Sequence, residues 1–341
     1  MKTEFESIFP LHLEHDHSDS SGIKTKQFPL GLFDCNENKT QQVIRLLKQL
    51  TEKYVPLKDN GEVIDEVFFG EDRFTDERIQ SAQQAMSNGD TPKEKLQGFI
   101  SKIKDWHRMM NFLEHNRPKI EKKKKSKTSA TDDQLFNYII LLFKLTGLLK
   151  NLDTAIDMAD GRRSVRSAKY ELPIFNTTNK LKYVIRCIHL TALSEETLSP
   201  EQRDRLILNR TVNIQGGKNN NLALNEYVEI LNRDSKDIVT GHQTKESIIA
   251  HSKQYPHLIK YIKHFDIISE IRQRKGFHKL PQYKADVMKV AKELIEIRAF
   301  EHIPKRKFVC KELSTERNPF INSYRGLSTM IDTNQKNLLV V

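Results

Sequence analysis

The chain has 341 residues, 37% of them hydrophobic and 30% charged, and 56 Lys and Arg against 45 Asp and Glu leave a net charge of +11. That length supplies a core for one large domain or two ordinary ones, and the 17 Phe and 9 Tyr exclude a chain too poor in apolar residues to fold. Cys35, Cys187 and Cys310 lie far apart, which excludes a disulfide framework or a Cys-x-x-Cys zinc module and reads as reduced intracellular thiols. The strongest apolar run, Tyr138 to Phe143, is too short to cross a bilayer, so no membrane partner is expected. The basic balance favours polyanions, DNA or RNA, as partners.

Residues 1–27 read as a disordered tail in which His12, His15, His17, Asp16 and Asp19 crowd among serines. A short strand is expected at Phe28–Phe33. From Thr40, Val43, Leu47, Leu50 and Tyr54 fall on one face of a helix capped by the threonine. After the turn Asp59-Asn60-Gly61, residues 62–69 read as a strand, with Asp72 behind it and a helix over 75–87. Thr91-Pro92-Lys93-Glu94 is a capping box that opens a short helix. Gly98 ends that helix, and a weaker strand at 99–104 leads into Asp105-Trp106-His107.

A basic stretch, 117–131, precedes a half that is nearly all helix, at about 132–158, 163–171 and 176–193. Ser199-Pro200-Glu201-Gln202 is a second capping box, for a helix to about 212. Residues 213–221 form a Gly and Asn loop, and further helices are expected at about 222–240, 244–264 and 283–300. The domain reading is a partial α/β core at 28–116, the basic linker, helices at 132–215, a helical segment at 216–310 that completes the core, and an irregular tail at 311–341.

A set of words stands out: Phe69-Gly70-Glu71-Asp72-Arg73-Phe74-Thr75, Asp105-Trp106-His107, Asp160-Gly161-x-Arg163, Leu172-Pro173-Ile174-Phe175, Asn209-Arg210-x-Val212-Asn213, Gly216 to Asn221, and Glu229-x-x-Asn232-Arg233. Together they resemble a eukaryotic family of unknown function with a transposable-element-like distribution, over roughly residues 30–300. The resemblance implies a transposase origin. The expected fold is mainly α with a small α/β part, a partial RNase H-like core interrupted by a large helical insertion. Asp72, Asp105 and Glu229 would then be the catalytic and metal-binding acids, vestigial or active, and Mg²⁺ or Mn²⁺ the cofactor of an active form. Two departures from the family pattern point to lost catalysis. An upstream strand that supplies the first acid in longer relatives is expected to be missing, and an aspartate expected four residues before Glu229 is Asn225.

Each candidate also has a plainer reading. Asp72 can be a helix cap, Trp106-His107 a packed core pair, and Glu229 with Arg233 an intrahelical ion pair on a solvated face. Candidate nucleic-acid contacts are Lys122, Lys123, Lys124, Lys125, Arg162, Arg163, Arg166, Lys218 and Arg233. The lysine run also fits a nuclear-localisation signal, which makes the nucleus a plausible location, or a solvated linker. The functional expectation is a transposon-derived protein, catalytically inactive, with residual nucleic-acid binding. The alternatives are an active divalent-metal nuclease or strand transferase, which would add Asp65 or Glu71 to the acids, and a helical protein-interaction scaffold.

Overall fold

The computed structural model describes residues 12–71, 73–116, 133–178, 180–239, 244–269 and 283–307, with 326, 328 and 329. The protein is mostly helical, with two sheets of two strands each among the described residues. No described helix is long and apolar enough to cross a membrane. The chain divides into two units: residues 1–108, 154–165 and 189–270 form the first, and 109–153, 166–188 and 271–341 the second.

The first unit begins with α1, Thr40–Tyr54, whose Val43, Leu47 and Leu50 are buried as their spacing predicts. Thr40 is the first helical residue rather than the cap. That position belongs to Lys39, which makes no side-chain capping bond. The expected strand at 62–69 splits in two. Residues 57–64 turn back on themselves, with a bridge between Leu57 and Val63 and an Ile64 N–H donated to Pro56 O at 2.9 Å. Only Val67–Glu71 forms β1, because the earlier part has already paired with its own upstream chain.

The helix α2, Arg73–Ala85, then leads round to β2, Phe99–Ile103, which pairs with β1 in parallel from Val67↔Phe99 to Glu71↔Ile103. Ile79 and Ala82 of α2 are buried with Leu96, Phe99 and the α1 residues in one apolar cluster. The capping box at Thr91 closes its bonds, with the Glu94 carboxylate accepting the Asp90 and Thr91 N–H groups, but only turns follow it. Leu96 adopts a left-handed φ of 58° to enter the core, and Gly98 lies where a Cβ would meet Val55 Cγ1 at 2.6 Å. Packing ends the helix before it can propagate.

Phe28–Phe33, expected as a strand, has no regular structure, and Phe28 is 81% exposed. Further on, the Ser199 capping box forms as expected and opens α7, Pro200–Leu208. This helix stops short of 212 because Thr211–Asn213 pairs antiparallel with Asn221–Ala223. The Gly and Asn loop is thus the end of a hairpin, β3–β4. After it come α8, Leu224–Ile238, and α9, Lys245–His251, whose cap Thr244 accepts the Ser247 N–H. The single helix expected at 244–264 is broken by a 3₁₀ turn, Ser252–Gln254, before α10, Tyr255–Ile268. Pro256 explains the break, since its ring suits a first helical turn and not an interior.

Between these parts, α3 (Asp105–Asn116), α4 (Gln134–Asp157), α5 (Gly161–Thr177) and α6 (Leu181–Ala192) follow one another in sequence. Pro173 lies inside α5 rather than ending it, where Ile174 and Phe175 on its far side are both buried. Within the second unit, the Phe175 ring stacks on Tyr183 and meets Phe112 edge-on. There Asp133 caps α4 by accepting the Phe136 N–H, and pairs with Arg306 at 2.7 Å. Burial pushes the Asp133 carboxyl up, but the Arg306 bond and two N–H donors outweigh it and hold it well below the usual range. The helix α11, Tyr283–Glu296, closes this unit, with Leu294 and Ala299 packed on Leu135 and Ile139. The basic stretch 117–131 and almost all of 311–341 lie outside the described residues.

Candidate functional site

The chemistry-bearing residues of the first unit converge at the end of β2. Asp105 opens α3 directly after that strand and is 2% exposed. Its carboxylate accepts from Arg108 Nη2 at 3.0 Å, from Ser164 Oγ at 2.8 Å, from Arg210 Nε at 2.8 Å, and from Arg210 Nη2. Arg108 Nη2 also donates to the Ser164 carbonyl at 2.8 Å. Both arginines are buried, so two guanidinium groups and one carboxylate share a space closed to water. Burial pushes the Asp105 carboxyl up, but Arg210 and Arg108 outweigh it and hold the group below its ordinary value.

Lys102, three residues earlier on β2, is buried beside this cluster and donates from Nζ to the Asn209 carbonyl. Its ammonium lies 5.9 Å from the Phe68 ring centroid, and the Arg205 guanidinium lies 6.0 Å from the same ring. Gly70 faces Lys102 across the sheet, where a Cβ would come within 2.9 Å of Lys102 Cε. Burial, reinforced by the Arg210 charge and opposed by Asp105, lowers Lys102 to about 7. Arg205 is itself held by a bidentate bond to Asp65 at 2.7 and 2.6 Å.

Of the expected acids, Asp72 lies outside the described residues. Glu229 is on α8 and exposed, as are Asn232 and Arg233, and Arg233 pairs with Asp234 at 3.1 Å. One turn before Glu229, Asn225 is buried and accepts the Trp106 N–H at 3.3 Å. The fold therefore sets the Asn225 position of α8 against the start of α3, next to Asp105. Among the described residues, no group of three or more His, Cys, Asp or Glu is placed to hold a metal ion.

The basic candidates are dispersed. Lys122 to Lys125 lie outside the described residues. Arg162 pairs with Asp16 at 3.0 Å, and Arg163 pairs with Asp160 at 3.2 Å while being half-buried. Arg166 and Lys218 are exposed.

The Gly and Asn loop has a structural role. Its seat is taken by residues 12–27, expected as a tail, whose Ser18 and Ser21 are buried. The Gly217 N–H donates to Gly22 O at 2.9 Å, and Asn213 and Asn221 both donate from Nδ2 to Ser21 O. Thr25 and Asn213 exchange two bonds, His12 reaches Asn219 at 2.8 Å, and His15 bonds the Met158 carbonyl at 3.0 Å. The backbone donor that a phosphate loop would need at Gly217 is already used.

The Asp160-Gly161-x-Arg163 word is likewise a joint. Asp160 Oδ1 accepts the Arg163 N–H at 2.9 Å at the start of α5. Gly161 packs so closely on α7 that a Cβ would fall 2.2 Å from the Ile207 carbonyl oxygen. Gly161→Ala is therefore expected to destabilise the protein by about 2 kcal/mol or more in urea unfolding, since backbone must move to admit the methyl. Gly147→Ala, with nothing within 4 Å of the added carbon, is the control and should be neutral or stabilising.

Sequence reasoning missed Lys102, Arg108 and Ser164 as members of this cluster. Arg210 stands in the Asn-Arg-x-Val-Asn word, where nothing local discloses its role. No curated protein and no solved structure matches the chain. A family match does exist, over residues 10–117 and 114–278, and these stretches contain both the Asp105–Arg210 cluster and the hairpin that seats the N-terminal segment. The chain belongs to the family of unknown function DUF6589.

Proposed function

We propose that this chain is a transposase-derived nucleic-acid-binding protein that no longer performs metal-dependent strand chemistry. The observation that carries the reading is the state of Asp105. The resemblance counts Asp105, after the fifth strand of an RNase H-like core, among the metal-binding acids, and here its oxygens are engaged by Arg108, Arg210 and Ser164. A divalent ion would have to displace two buried guanidinium groups to reach it. The parallel β1–α2–β2 unit fits the fourth strand, helix and fifth strand of such a core, and α8 comes beside it as the last acid-bearing helix would. Asn225 supplies an amide where the resemblance leads one to expect a carboxylate.

Nucleic-acid affinity rests on the net charge of +11. Retention on heparin and on duplex or single-stranded DNA is expected at low salt, with affinity falling steeply as salt rises, because phosphate contacts release counterions. Calorimetry with Mn²⁺ should show no specific binding to the wild type or to Asp72→Asn. Absence of retention at about 0.1 M salt would remove the nucleic-acid part of the reading. Mn²⁺-dependent plasmid nicking that Asp72→Asn abolishes would overturn the loss of catalysis.

A further inference from the structure

The outer face of α10 is a second surface that the polar cluster does not explain. Tyr255 and Ile259 are buried and seat the helix against α8, with Lys263 tied to Asp234 at 2.8 Å. On the opposite side, Leu258, Tyr261, Phe265 and Ile268 recur at steps of three, four and three residues, the spacing of a two-heptad seam. They are 40%, 73%, 59% and 68% exposed, and Ile262 at 41% widens the stripe. A run of large apolar side chains in register is unusual on a water-facing helix and marks a contact surface. Beside the stripe stand Lys260, His257 and His264, all exposed, with Lys253 just before the helix.

We infer that this face of α10 docks an amphipathic helix of a partner protein, with apolar residues at heptad spacing and acidic flanks. The apolar stripe calls for a helix because it matches a knobs-into-holes seam, and a phosphate backbone would leave its aliphatic members in water. The flanking charge calls for acidic residues. A second copy of this chain would bring Lys260 against Lys260 or its basic neighbours, and like charges at such flanks act against pairing. This inference does not rest on the proposed nucleic-acid function.

The test uses the full chain and two synthetic two-heptad peptides with leucine at the seam, one flanked by glutamate and one by lysine. Fluorescence anisotropy is expected to show binding of the glutamate peptide only. Phe265→Asp and, separately, Tyr261→Asp should weaken it about tenfold or more, as for truncation of an interface anchor, with unchanged urea unfolding. Lys260→Glu with His264→Glu should shift the preference toward the lysine peptide. Equal binding of both peptides, binding of neither, or indifference to both aspartate variants would overturn the proposal. So would a wild-type dimer in sedimentation that Phe265→Asp dissociates, which would assign the face to a second copy, or a loss of DNA affinity in that variant.

Discussion

Replacing Asp105 by asparagine is expected to cost about 3–5 kcal/mol of folding stability, the range for removing one partner of a buried ion pair. The carboxylate is the shared acceptor of Arg108, Arg210 and Ser164, and the amide that replaces it removes a negative charge that both buried guanidinium groups face. The effect carries a pH signature. Because Arg210 and Arg108 hold the folded carboxyl below its ordinary value of 3.8, its contribution is present above that pH and is lost as pH falls through the folded value. Urea unfolding of wild type and variant should differ throughout pH 5 to 8, by more toward pH 5 because Asp105 also raises the buried Lys102, and converge only on strong acidification. A metal ligand behaves in the opposite way: removing an acid from a crowded carboxylate site relieves repulsion and stabilises the apoprotein. A stabilised Asp105→Asn, or a wild type that Mn²⁺ protects against heat while the variant is not, would return Asp105 to a metal site.

The contrast between these outcomes shows what the sequence could and could not disclose. Helices with a clean apolar period, such as Thr40–Tyr54, stand close to where their spacing puts them, because one buried face settles both their existence and their register. The elements that shifted are those decided by contacts distant in sequence. Thr91 to Glu94 forms its capping bonds but yields to the burial of Leu96, and Pro173 is tolerated inside a helix whose next two residues are buried. The hairpin at 211–223 was hidden because its strands have three residues each and carry asparagines inward.

For the candidate site, the words were visible and their roles were not. Asp105 can be picked out as an acid after a strand, but nothing local says that Arg210, 105 residues on, will close over it. The same holds for Gly216 to Asn221, which suggest a phosphate cradle by composition and serve residues 12–27 instead. A glycine and asparagine loop offers backbone donors to whatever reaches it first, and here that is the chain itself. Several of these words therefore encode the polar wiring of the first unit, which the sequence alone invites one to read as chemistry.

Lys102→Met gives the largest expected effect in the other direction. The side chain is buried, and burial with the Arg210 charge lowers it from an ordinary value of 10.5 to about 7. A lysine depressed in the folded state keeps its proton better when unfolded, so folding stability rises with pH between those two values. The rise is at most about 1.4 kcal/mol per pH step, or about 5 kcal/mol across the window. Methionine, of similar length and without charge, should abolish it. The variant is expected to be more stable than wild type near pH 6 and to lose that lead toward pH 10. There the neutral lysine still donates to the Asn209 carbonyl, an acceptor the methionine leaves unpaired at a cost of about 1–3 kcal/mol. Parallel stability curves for the two proteins would show that Lys102 is solvated and not a member of the buried cluster. Asp105 is the group that raises Lys102, so the two substitutions cannot be independent. In Asp105→Asn, Lys102 loses the group that favours its charged form, so below pH 7 its burial beside Arg210 costs more, and adding Lys102→Met removes that cost. The double variant should therefore recover part of the loss in the single one, a coupling of about 1 kcal/mol or more in a double-mutant cycle at pH 5 to 6. Simple additivity would mean that the lysine does not sense the charge of Asp105.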